Sequence, residues 1–61
     1  MINIKIKEIR ERNNFSKEYI AIQMEISVKK YNDIEKGKVD LKISKLERLC
    51  EIFGVQKSDF F

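Results

Sequence analysis

Apolar residues in this chain recur every three or four positions, the period of an α-helix with one buried side. Ile2, Ile6 and Ile9 fall at i, i+4 and i+7. Asn3 is placed to cap the start of this first helix, and Asn13 and Asn14 to end it, because asparagine tolerates the left-handed conformation. Ile2, Ile4 and Ile6 also alternate as a strand would, but Glu8 to Arg12 continues without alternation, which favours the helix. Ser16 opens a second helix, with Glu18 in the first turn where negative charge is favoured, and Ile20, Ala21 and Met24 facing inward. Ser27 opens a third, with Tyr31 and Ile34 toward the core, and Gly37 is a natural stop. After a loop from Lys38 to Lys42, the residues Ile43, Leu46, Leu49, Cys50 and Phe53 mark a fourth amphipathic helix that Gly54 ends. Lys42 occupies the cap position of that helix, and Ser44 with Glu47 form an offset capping box. Ser58 to Phe61 make a last turn that closes the core with Val55 and Phe60. The expected fold is all-α, a compact bundle of four to five short helices in one domain spanning residues 1–61.

Composition narrows the chemistry. Sixty-one residues bury only about 60% of the surface of the unfolded chain, leaving a small core and little room for a deep pocket. Proline is absent and glycine occurs only twice, consistent with helices joined by short connections. There is no histidine and no cluster of carboxylates at metal spacing, so neither a metal site, a cofactor nor a catalytic nucleophile–base pair is expected, and the chain is read as not an enzyme. A hydrolase or nuclease is the least supported reading. Cys50 is the single cysteine. It permits no internal disulfide, suits a reducing cytoplasm, and reads as a small core residue. No apolar run reaches the roughly 20 residues of a membrane span, and the N-terminus is no signal peptide.

The net charge is +3 and the pI is about 9.1, a mild bias toward a polyanionic partner. Its distribution says more. From Ser27 to Lys42 there are five lysines against Asp33, Glu35 and Asp40. With Tyr31 and Ile34 inward, the 100° step of the helix turns Val28, Lys29, Asn32, Asp33 and Lys36 away from the core, with Lys30 on the flank. Small Ala21 sits where the second and third helices cross, allowing the steep angle that a three- to four-residue turn requires. Such a pair of helices fits its second member into a DNA major groove. There lysine can donate to guanine, asparagine can pair with adenine, valine can pack on a thymine methyl, and aspartate can accept from cytosine. Val28, Lys29, Asn32 and Asp33 are therefore the candidate base contacts. Asp33 has an alternative as the intrahelical partner of Lys29 or Lys30. Lys17, Ser27, Lys30, Lys36, Lys38 and Lys42 are the candidate phosphate contacts; the alternative is a merely solvated lysine face.

The chain resembles the helix-turn-helix family of phage Cro and repressor proteins, the xenobiotic-response-element type of bacterial regulator. The matching residues are Ile9-Arg10, Ser16, Ile20-Ala21, Met24, Ile26-Ser27, Ile34-Glu35, Gly37-Lys38, Leu46, Leu49 and Gly54-Val55, so the likeness runs from about Ile6 to Phe60. It implies a lambda-repressor-like bundle around a central helix-turn-helix. It also implies that the loop after the third helix and the start of the fourth lie along the DNA backbone. That gives a role to Lys42, whose charge opposes the helix dipole unless a phosphate is bound. The family further implies a partly buried structural ion pair between Arg10 and Glu35. Three positions depart from the family pattern. Glu25 stands at a turn position that is usually glycine, Lys17 where glutamine often reaches a phosphate, and Tyr31 where an aliphatic is common.

The reading that follows is a sequence-specific, double-stranded-DNA-binding regulator of transcription, most simply a repressor, of bacterial or phage origin, cytoplasmic and nucleoid-associated. It would act as a weak homodimer, with the surplus Phe61 either packed in the contact or simply exposed. The competing reading is an antitoxin-like or adaptor protein whose main partner is another protein.

Overall fold

The computed structural model describes residues 2–61. Among the described residues there are four α-helices and no strand: α1 (Ile2–Arg12), α2 (Lys17–Met24), α3 (Val28–Glu35) and α4 (Ile43–Phe53), followed by a single 3-10 turn, Lys57–Phe60. The fold is an all-α bundle. Two of the helices start on serine caps. Ser16 Oγ accepts the Tyr19 amide at 3.0 Å, and Ser27 Oγ accepts the Lys30 amide at 3.0 Å. Each hydroxyl satisfies a backbone donor that the first turn leaves free.

All four helices end by one device. A residue in the left-handed region lets the next amide reach back five residues to a carbonyl the helix leaves open. These residues are Asn14 (φ 60°), Glu25 (φ 60°), Gly37 (φ 73°) and Gly54 (φ 70°). The closing bonds are Phe15 N–H to Arg10 O, Ile26 N–H to Ala21 O, Lys38 N–H to Asp33 O and Val55 N–H to Cys50 O, at 2.9–3.1 Å. Glu25 carries a Cβ into a conformation that disfavours it, at a cost of roughly 1–2 kcal/mol.

The core is formed by Ile6, Ile9, Ile20, Ala21, Met24, Tyr31, Ile34, Leu46, Leu49, Cys50, Phe53 and Phe60. Ala21 on α2 is 1% exposed, and α2 packs closely on α3. The 3-10 turn packs on α1 and α4 and inserts Phe60, while Ile2, Phe15, Ile26, Leu41 and Val55 cover the edges. Arg48 Nε donates to Gln23 O at 3.2 Å, tying α4 to the end of α2.

Four local expectations need correction. Asn3 does not cap α1 but lies within it, and its Nδ2 donates across to Glu35 O at 3.3 Å. Gly37 makes room for this contact, since a Cβ there would come within 3.1 Å of Asn3 Nδ2. Ser44 does not form an offset capping box with Glu47. Helix α4 begins at Ile43, and Lys42 precedes it with no side-chain cap. Ile43 is 62% exposed rather than core. It occupies the first position of α4, and helical side chains lean toward the N-terminus, so it overhangs the packed turn. The last turn begins at Lys57 rather than Ser58.

Candidate nucleic-acid interface

The position of α3 is set by what it buries. Tyr31, Ile34 and Glu35 are its buried residues, and buried charge needs partners. Arg10 on α1 supplies them. Its Nε donates to Glu35 Oε2 at 2.6 Å and its Nη2 to Glu35 Oε1 at 3.4 Å. Its Nη1 donates to the Phe15 carbonyl in the α1–α2 connection at 2.9 Å. The Tyr31 hydroxyl donates to the same Oε2 of Glu35. The Arg10 guanidinium thus ties α1, the first connection and α3 together. Within the described residues no buried side-chain nitrogen or oxygen lacks a partner. The hydrogen bond to Glu35 raises the Arg10 pKa further above its ordinary value. Burial, and then the bond to Glu35, pushes the Tyr31 hydroxyl far above the usual tyrosine range.

With that side fixed inward, the opposite side of α3 is open. Val28 is 38% exposed and the Lys29 side chain 87%. Lys30 and Lys36 are exposed, and so is Ser27, whose hydroxyl is engaged as the cap. Lys38 and Lys42 are exposed on the segment between α3 and α4. Asn32 and Asp33 are half-buried. Of the two roles open to Asp33, the structure contains the intrahelical pair. Lys29 Nζ lies 3.3 Å from Asp33 Oδ2, one turn away. Lys17, at the first position of α2, reaches across the corner and donates from Nζ to Asn32 Oδ1 at 2.8 Å. Among the candidate residues the structure joins Lys17 to Asn32 and Lys29 to Asp33.

Sequence reading missed three of these contacts. The Tyr31–Glu35 bond had a visible signal, a hydroxyl in a core position four residues before an acid, which is the spacing of helix neighbours. Lys17 with Asn32, and Asn3 with Glu35, are tertiary contacts across 15 and 32 positions, and no local pattern announces them. Cys50 is buried and its thiol is pushed up by burial, which holds it as the neutral thiol. Among the described residues no group of His, Cys, Asp and Glu is placed to hold a metal ion, and no helix is long and apolar enough to cross a membrane.

No curated protein and no solved structure matches the chain. A family model described as a helix-turn-helix domain matches residues 3–61, the full run from α1 to the closing turn. This α2–corner–α3 arrangement, inside a bundle that the model covers almost end to end, makes the chain a member of the helix-turn-helix domain family, consistent with its Cro/repressor-like type.

Proposed function

We propose that this protein is a sequence-specific DNA-binding transcriptional regulator, most simply a repressor that occupies an operator and excludes polymerase. The observation that carries the reading is the open side of α3. It has Val28 and Lys29 exposed and Asn32 between them and Lys36, all on the helix that follows a helix-turn-helix corner. In this reading Val28, Lys29 and Asn32 meet base edges, and Asp33 steadies Lys29. Lys17, Ser27, Lys30, Lys36, Lys38 and Lys42 follow the phosphates. Phosphate contacts position the protein and base contacts specify the sequence.

A single module of this size covers roughly 600–1,000 Å² on DNA, which reads few base pairs. Useful specificity calls for a weak homodimer on a two-fold site, with half-sites about 34 Å apart. Phe61, 83% exposed at the end of the chain, is available to that contact.

Selection of bound duplexes from a random pool tests the reading. A two-fold consensus is expected, with affinity that falls linearly in log salt by about 0.9 for each lysine–phosphate contact. Equal affinity for selected and random duplexes would overturn specific readout.

A further inference from the structure

A half-turn of an asparagine amide exchanges its acceptor for its donor, so reading a base edge requires one of two orientations. Lys17, at the first position of α2, makes that choice for Asn32. Its ammonium has donors only and meets the amide at the oxygen, with Nζ 2.8 Å from Oδ1. The half-turned amide would set one donor against another. Both residues are half-buried, so the bond joins α2 to α3 out of the full competition of water. It also leaves the amide able to read. A carbonyl oxygen has two lone pairs, and Lys17 takes one. Among the described residues Asn32 Nδ2 donates to nothing, and no buried side-chain nitrogen lacks a partner, so Nδ2 reaches solvent. A free acceptor position beside a free donor is the complement of adenine, whose N6 donates and whose N7 accepts in the major groove.

We propose that Lys17 is a positioning residue for base readout, holding the Asn32 amide in the one orientation in which it reads adenine. The inference deepens the reading of α3 as the helix that enters the major groove, and rests on it. A lysine that only touched phosphate would support all duplexes alike. A lysine that positions Asn32 supports the adenine duplex above the others.

The test is duplex selection with the wild-type chain, followed by binding of single-base variants of the selected duplex to the wild type, Asn32→Ala, Lys17→Met and Lys17→Arg. Thermal melting checks that each variant is folded. The wild type is expected to prefer adenine about tenfold at one position of each half-site, and Asn32→Ala to lose preference there alone. Lys17→Met keeps much of the length of lysine without any donor. It is expected to cut the adenine preference about threefold, the cost of ordering one freed side chain, with preferences elsewhere kept. Lys17→Arg, again donors only, is expected to retain the preference. A Lys17→Met chain that binds every duplex more weakly by one common factor overturns the proposal and leaves the regulator reading standing. So does a base other than adenine at the Asn32-dependent position. A wild type that enriches no sequence removes the regulator reading and this proposal together. A second measurement needs no DNA. Nitrogen-15 relaxation of Asn32 Nδ2 is expected to give an order parameter above about 0.6 in the wild type and a lower one in Lys17→Met; equal values overturn the proposal.

Discussion

Tyr31 and Glu35 stand one turn apart on α3, and the Tyr31 hydroxyl donates to the same carboxylate oxygen that Arg10 grips from α1. The departure from an aliphatic residue at position 31 is thereby absorbed, because the hydroxyl helps to satisfy a buried charge. Tyr31→Phe removes a hydrogen bond to a charged group and is expected to cost about 1.5–3 kcal/mol in denaturant melts at neutral pH. The pH dependence follows from the raised pKa. The folded protein keeps a proton that the unfolded chain releases near pH 10. The contribution of Tyr31 is therefore complete below about pH 10 and drains as pH rises beyond it, by about 1.4 kcal/mol per unit. Melts of wild type and Tyr31→Phe between pH 8 and pH 11 should draw closer by about 1.4 kcal/mol at the alkaline end. Parallel curves would remove the coupling.

Arg10 and Glu35 hold side chains only 10% and 4% exposed. Removing one partner leaves the other charge buried and uncompensated, so Arg10→Met is expected to cost about 3–5 kcal/mol. Arg10→Met combined with Glu35→Met should cost less than the sum of the single changes, because no stranded charge remains. An Arg10→Met chain with an unchanged melting temperature would refute the pairing.

Among the described residues, the Glu25 side chain makes no hydrogen bond that would offset its left-handed backbone. Glycine relieves the Cβ conflict of roughly 1–2 kcal/mol but loses more backbone entropy, roughly 0.5–1 kcal/mol. Glu25→Gly is expected to stabilise the fold by about 0.5–1 kcal/mol, raising Tm by a few degrees. A lowered Tm would show that the corner needs the glutamate.

Cys50 combines burial with a raised thiol pKa, and the thiolate is the reactive form. Alkylation of native protein at pH 7.5 is expected to be much slower than that of the urea-unfolded chain. Equal rates would mean that the thiol is accessible.

These relationships divide by how local they are. The helix boundaries were legible because caps and stops are short-range. Ser16 and Ser27 bond to amides three residues on, and Asn14, Gly37 and Gly54 are residue types that tolerate positive φ. The inward Tyr31 and Ile34 were legible from period alone, as were the exposed Val28, Lys29 and Lys36, whereas Asn32 and Asp33, expected to face outward, are half-buried. Ile43 was misread because periodicity carries no information about where a packed face stops. Asn3 was misread because a capping side chain can equally serve a distant carbonyl. The Lys17–Asn32 bond depends on how α2 crosses α3, so it enters only with the tertiary structure.

The most direct measurement is an amide NMR titration of the protein with a duplex from the selection. If the open side of α3 seats against bases, the largest shifts fall on Val28, Lys29 and Asn32 and on the flanking Lys17, Lys38 and Lys42, with the Asn32 side-chain amide among the most affected. Shifts confined to the α1 and α4 surfaces, with the α3 resonances unmoved, would contradict it.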